Sequence, residues 1–180
     1  QSVSDPTQAP FRLTNDPAAD YSPKWSPLGR QIAFVSTTSG EEEIWLANLD
    51  RVENRFSNFS QNKTAIDGYP DWSPDGRYLA WTSQQDGLDN LYVRENTIPA
   101  SPARLIGTGR SAAWSPDGSV LAAVLLTPDQ NALVAYRMND GRVGLPPVEL
   151  PAAIQGIDWS AGALPELIRD RFVSGAGAIP

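Results

Sequence analysis

The side chains best placed to do chemistry in this sequence are carboxylates. Three are consecutive, Glu41-Glu42-Glu43, a pair stands at Asp86 and Asp89, and others lie at Asp20, Asp67 and Asp129. Such groups can hold a hard cation through oxygen ligands, attract a basic partner, or act as acid and base when two face one bond. The rest of the inventory argues against catalysis. With no His and no Cys, the chain lacks the commonest general base and metal ligand and every thiolate. It carries no G-x-S-x-G elbow, no H-E-x-x-H and no phosphate-cradling G-x-x-x-x-G-K. The expectation is a non-catalytic protein with no cofactor and no metal site. The carboxylates then read as solvated loop residues or as a binding surface.

The elements that position these groups are announced by one phrase said four times: WSPLGR from Trp25, WSPDGR from Trp72, WSPDGS from Trp114 and a decayed WSAG from Trp159. Successive tryptophans lie 47, 42 and 45 residues apart, a period that marks a solenoid, array or propeller. Behind each phrase comes a β-branched and aromatic run of strand length: residues 31–36, 78–83 and 120–126. A polar gap and a second run follow, at 43–49, 90–94 and 132–137, and a weaker run closes each unit at 55–57, 103–106 and 147–150. With the short stretch ending at Trp, each repeat supplies four strands, which is one propeller blade. No continuous 3.6-residue pattern supports a helical repeat. The fold expected is all-β, a β-propeller of about three full four-stranded antiparallel blades.

Pro fixes φ at the second position of a turn, Asp binds nearby amides, and Gly takes a positive φ at the exit, so Ser-Pro-Asp-Gly reads as a tight hairpin turn. The Trp before it ends the innermost strand, where a large ring fills the space between blades. Trp25, Trp72 and Trp114 are therefore expected in equivalent buried places.

Phe11-Arg12-Leu13-Thr14-Asn15-Asp16, Ser22-Pro23-Lys24-Trp25-Ser26-Pro27, Ile32-Ala33-Phe34-Val35-Ser36 and Glu43-Ile44-Trp45-Leu46 resemble the TolB-type WD-like β-propeller repeat. The resemblance runs from Phe11 to about Ser160 and implies several roles. Repeats of this kind occur in a periplasmic translocation protein, in the accessory propellers of prolyl-oligopeptidase-like hydrolases, and in bacterial surface and secreted proteins. An extracytoplasmic address, periplasmic, cell-surface or secreted, is implied by the resemblance alone.

Composition sets the outer limits. Of 180 residues, 41% are hydrophobic and 19% charged, as in ordinary folded domains. No window approaches the roughly 18 apolar residues of a membrane span. A net charge of −7 argues against nucleic acid as partner. Residues 1–10 read as a linker or N-terminal tail, 11–160 as the blades, and 161–180 as a divergent C-terminal segment. Closed propellers have about 4 to 8 blades. Three blades, with a spare closing strand at Phe11 to Thr14 and a spare inner strand near Ile157 to Trp159, therefore imply a piece of a longer protein or two copies completing a ring of about six.

Sorting charges by blade end yields the functional expectation. Asp16, Asp20, Glu41, Glu42, Glu43, Asp67, Asp86, Asp89 and Asp129 share one loop rim with only Lys63 and Arg110 against them. The opposite rim mixes arginines, among them Arg30, Arg51, Arg55 and Arg142, with fewer acids. A rim of one sign can steer an oppositely charged partner. The expected binding residues are therefore Asp20, Tyr21, Glu41, Glu42, Glu43, Asp67, Tyr69, Asp86, Asp89 and Asp129, with the two tyrosines adding contact area. The partner expected is a protein or peptide, and the rim's charge favours a basic one. The alternatives are an accessory propeller of a larger enzyme, or carbohydrate or cation binding at the channel mouth near Lys24, Asp71 and Asp158.

Overall fold

A computed structural model describes residues 5, 7–98, 100–127, 131–139, 143–150, 154 and 156–159. The repeats become three four-stranded sheets, each an antiparallel meander in sequence order. The first blade holds β1 (Asp20–Trp25), β2 (Gln31–Ser36), β3 (Glu43–Asn48) and β4 (Phe56–Asn58). The second holds β5 (Ile66–Trp72), β6 (Tyr78–Gln85), β7 (Leu88–Glu95) and β8 (Arg104–Thr108). The third holds β9 (Arg110–Trp114), β10 (Val120–Leu126), β11 (Asn131–Arg137) and β12 (Val143–Glu149). The described residues contain no helix, and the spare segments Phe11 to Thr14 and Ile157 to Trp159 form no strand.

Turn chemistry acts as its residues dictate. In all three turns the exit glycine takes a positive φ, 76° at Gly29, 69° at Gly76 and 71° at Gly118. Each of these N–H groups donates to the Ser carbonyl three residues back at 2.8 Å. In the second blade the Ser73 hydroxyl donates to Asp75 Oδ1 at 2.6 Å, and the Arg77 N–H donates to the same oxygen at 3.0 Å. The third blade repeats this with Ser115, Asp117 and Ser119. The first blade has Leu28 in place of the Asp and lacks that clasp.

Strand periodicity makes each sheet two-sided. Leu79 and Trp81 of β6 pack back on Ala33, Val35, Ile44 and Leu46 of the first blade. Ala80, between them, packs forward with Leu91 and Val93 against Leu121, Ala123 and Tyr136 of the third. The core therefore consists of two seams between three blades.

The tryptophans staple these seams. The Trp72 indole N–H donates to the carbonyl of Lys24 at 3.1 Å, Trp114 to that of Asp71 at 3.2 Å, and Trp159 to that of Ala113 at 2.9 Å. In each case the acceptor directly precedes the tryptophan of the previous blade. Trp72 and Trp114 are only 6% and 7% exposed, as expected, but Trp25 is 62% exposed. The expectation of equivalence fails there because no described blade precedes the first.

Candidate functional site

The inner strands carry a repeated irregularity that shapes the acidic rim. In β1, Ser22-Pro23 oppose the single residue Phe34; in β5, Tyr69-Pro70 oppose Trp81; in β9, Ser111-Ala112 oppose Ala123. Each is a β-bulge, and its first residue is non-glycine at positive φ: 51° at Ser22, 54° at Tyr69 and 51° at Ser111. Proline suits the second position in two of them, because a bulge frees one residue from the ladder. Left-handed backbone at non-glycine residues is uncommon and clusters at binding sites.

Beside the first two bulges lies a cleft of about 290 Å³ between the first and second blades. Four of the sequence-expected residues, Tyr21, Glu42, Tyr69 and Asp89, line it together with Ser22, Ile66, Gly68, Thr82, Gln84 and Arg110. Burial, and then the Glu42 carboxylate facing it, push the Tyr21 hydroxyl up to about 12, so it stays a neutral hydrogen-bonding group. Asp89 is engaged: Arg110 Nε approaches its Oδ2 at 2.7 Å and the Gln84 amide donates to its Oδ1 at 3.1 Å. The lone guanidinium among the described lining residues is thus tied down, and the other acid of the cleft, Glu42, faces the Tyr21 hydroxyl. A neighbouring shallow groove of about 380 Å³ brings Glu41 and Asp86 together with Lys63.

Three of the expected site residues are not rim groups in this sense. Glu43 is 1% exposed at the start of β3, where the Ser39 hydroxyl and the Asn58 amide donate to its Oε2. Its Oε1 is buried without a hydrogen bond. Asp67 is fully buried, its N–H donating to the Glu42 carbonyl at 2.8 Å. Burial pushes its carboxyl up to about 6; the hydroxyls of Ser60 and Ser83 counter this in part, and Glu43 adds to it. Neither hydroxyl completes a hydrogen bond of good geometry to Asp67. Asp20 buries one unpaired oxygen and borders a small groove behind the first blade with Phe34 and Trp45. Asp129 lies outside the described residues. The third blade has Gly109 where the others have Asp20 and Asp67, and a Cβ there would stand 2.8 Å from that of Ala123.

Burial overturns one sequence reading directly. The three glutamates read as one exposed patch, yet Glu41 is exposed, Glu42 borders the cleft and Glu43 is internal. Glu43→Ala is therefore expected to cost about 1 to 3 kcal/mol by leaving the Ser39 and Asn58 donors unpaired. Glu41→Ala should change stability by less than about 0.5 kcal/mol. Urea melts of the two variants decide; equal midpoints would refute the distinction.

Sequence reasoning missed two things here. Gln84 and Thr82 reach the cleft from the far end of β6, where they read only as strand residues. A larger cavity, about 770 Å³, opens on the opposite rim between the second and third blades, bordered by Tyr78, Trp114, Met138 and three prolines. Its Asp75 and Asp117 are already used to close turns, so it offers fewer free polar groups. At the ends of the inner strands β1 and β5, Lys24 Nζ stands 3.4 Å from Asp71 Oδ1. Burial raises the pKa of Asp71 and Lys24 opposes the rise.

Among the described residues no group of three or more acidic side chains is placed to hold a metal ion. No helix there is long and apolar enough to cross a membrane.

No curated protein matches the sequence. Among solved structures the chain is similar to TolB from Acinetobacter baumannii, at 20% identity and TM-score 0.60 over 74% of this chain and 33% of that one. It is similar to the β-propeller domain of the Trilobed protease from Pyrococcus furiosus, at 22% identity and TM-score 0.58 over 74% and 43%. Oligogalacturonate lyase from Vibrio parahaemolyticus follows at 16% identity and TM-score 0.54 over 73% and 41%. The chain thus spans a third to under a half of the length of these structures, and likeness at such identities speaks for the fold. A family model described as the TolB beta propeller domain matches residues 6–144. With blades, turns and staples repeating along that same stretch, the chain belongs to the TolB beta propeller domain family.

Proposed function

We propose that this propeller is a non-catalytic, extracytoplasmic binding scaffold whose cleft between the first two blades receives a basic side chain of a protein or peptide. The observation that carries the reading is the joint placement of Tyr21, Tyr69 and Glu42 around one cleft in which Arg110, the one cation among the described lining residues, is already paired with Asp89. Aromatic faces beside a carboxylate suit a guanidinium or ammonium, which gains both ion pairing and cation–π attraction. Glu41 and Asp86 next to the cleft add steering charge without entering it.

A fluorescence titration with an unstructured Arg-Gly peptide tests this. Binding should weaken with added salt, because exposed charges are screened over about 8 Å at physiological ionic strength. Glu42→Gln and Tyr69→Ala should each weaken it by about fivefold or more, given roughly 1 kcal/mol per exposed cation–π or ion-pair contact. Arg51→Gln, on the opposite rim, should leave it unchanged. Binding that ignores Glu42 and Tyr69 refutes the assignment.

A second reading has its own support. One similar structure is the propeller domain of a protease, and this chain spans under half of it. An accessory role beside a catalytic domain would use the same cleft to dock a substrate, and a hydrolase domain in the same full-length protein would favour it.

A further inference from the structure

We infer that the cavity of about 770 Å³ between the second and third blades binds a small organic amine, its apolar body held between the blade turns and its ammonium at the carboxylates of the mouth. This site lies on the rim opposite the cleft of Tyr21 and Tyr69 and is independent of that cleft's role.

Equivalent positions in the two seams explain why the cavity exists. Between the first and second blades the Asn96 amide donates to Gln31 Oε1 at 2.7 Å, a polar bridge across the seam. Leu28 reaches over to the next turn, where a Cβ at Gly76 would stand 2.7 Å from its Cγ. Displaced by the tryptophan spacing of 47, Gln31 and Leu28 correspond to Tyr78 and Asp75; by the spacing of 42, Asn96 corresponds to Met138. Tyr78 and Met138 do not rebuild the bridge. Asp75 is held within its own turn, its Oδ1 accepting from the Ser73 hydroxyl at 2.6 Å and the Arg77 N–H at 3.0 Å. At Gly118 the nearest atom to an added Cβ is therefore Pro74 Cδ at 3.7 Å, a looser approach than at Gly76. The second seam has neither the bridge nor the leucine, and it opens.

The lining is apolar within and acidic at the mouth. Tyr78 stacks on Trp114 with ring centroids 6.4 Å apart, and Val93, Met138 and three prolines complete the wall. A cavity of this size with aromatic and aliphatic walls and a few polar groups suits a compact organic ligand. Asp75, Glu95 and Asp117 border it against Arg104, the one cation among the described lining residues. Just outside, Arg77 is spent on Glu95, its Nη2 donating to Oε1 at 3.1 Å. The turn donors all fall on Oδ1 of Asp75 and of Asp117, which leaves the second oxygen of each for a ligand. Acids outnumber bases, so a cation is favoured and an anion repelled.

Fluorescence titration of the 180-residue chain with dansylcadaverine, an apolar ring system carrying a primary amine, tests the proposal. Dansylglycine carries a carboxylate on the same ring system and serves as the comparison. Dansylcadaverine should bind saturably and at least about fivefold more tightly than dansylglycine. Asp75→Leu copies the first turn into the second, filling space and removing a charge, and should weaken dansylcadaverine by about tenfold or more. Asp75→Asn keeps the size and should weaken it by about threefold. Arg104→Glu, a change at an exposed residue, should spare the fold and tighten it by about threefold. Glu42→Gln, in the cleft of the opposite rim, should leave it unchanged. Absence of saturable binding, equal affinity for the two probes, weaker dansylcadaverine binding in Arg104→Glu, or a loss in Glu42→Gln without one in Asp75→Leu overturns the proposal.

Discussion

Trp72→Ala is expected to lower the stability of the fold by about 3 to 5 kcal/mol, the range for removing a large buried aromatic side chain. The ring sits in the seam with Val35, Leu46 and Phe59 of the first blade, and its N–H leaves the Lys24 carbonyl unpaired when lost. Among the described residues the first blade packs on the rest of the fold through this seam, so the damage falls on its attachment to the second. Trp25→Ala supplies the internal control, because the same residue type in the same motif is exposed. Guanidinium melts of the two variants should differ by most of that range. Equal midpoints would mean the seam between the first two blades contributes little to folding.

Asp67 should make the protein less stable as pH rises from about 4 to about 7. Its carboxyl titrates near 6 in the folded chain, against 3.8 for the free group, because burial and Glu43 disfavour the charge. A raised folded pKa means the folded state holds the proton more tightly. The associated stabilisation is complete below the unfolded value and is lost as pH passes through the folded one. At about 1.4 kcal/mol per pH unit, the swing is about 3 kcal/mol. Asp75, Asp117 and Glu95 have lowered values and act in the opposite sense, so wild-type curves alone mix the two. Comparing wild type with Asp67→Asn from pH 4 to 8 cancels those shared groups. The variant should gain on the wild type up to about pH 7 and then run parallel to it. Curves parallel throughout would show that Asp67 ionises as readily inside the fold as outside.

Asp67 is joined to the main chain of Glu42 through its own N–H, and Glu42 lines the cleft. Under the proposed reading, a partner engaging Glu42 meets a loop residue tied to a group that changes charge in the mildly acidic range.

The repeat, the strands and their turns were legible in the linear order of residues because each depends on contacts within a few positions. The runs at 31–36 and 120–126 coincide with β2 and β10, and the three exit glycines all take the positive φ that their turns demand. Alternation of side chains along a strand, and the conformational freedom of glycine, are local properties. Burial is not local. Glu41, Glu42 and Glu43 are chemically alike and adjacent, yet the neighbouring strand and loop leave one in water and seal another among Ser39 and Asn58. Trp25 and Trp72 share one motif, and only the presence of a preceding blade hides the second. The bulges that set Tyr21 and Tyr69 at one cleft arise from register across strands, with two residues opposite one. Which repeated residue staples, titrates or lines a cleft was therefore decided where blades meet, between segments some 45 residues apart, beyond the reach of any local pattern.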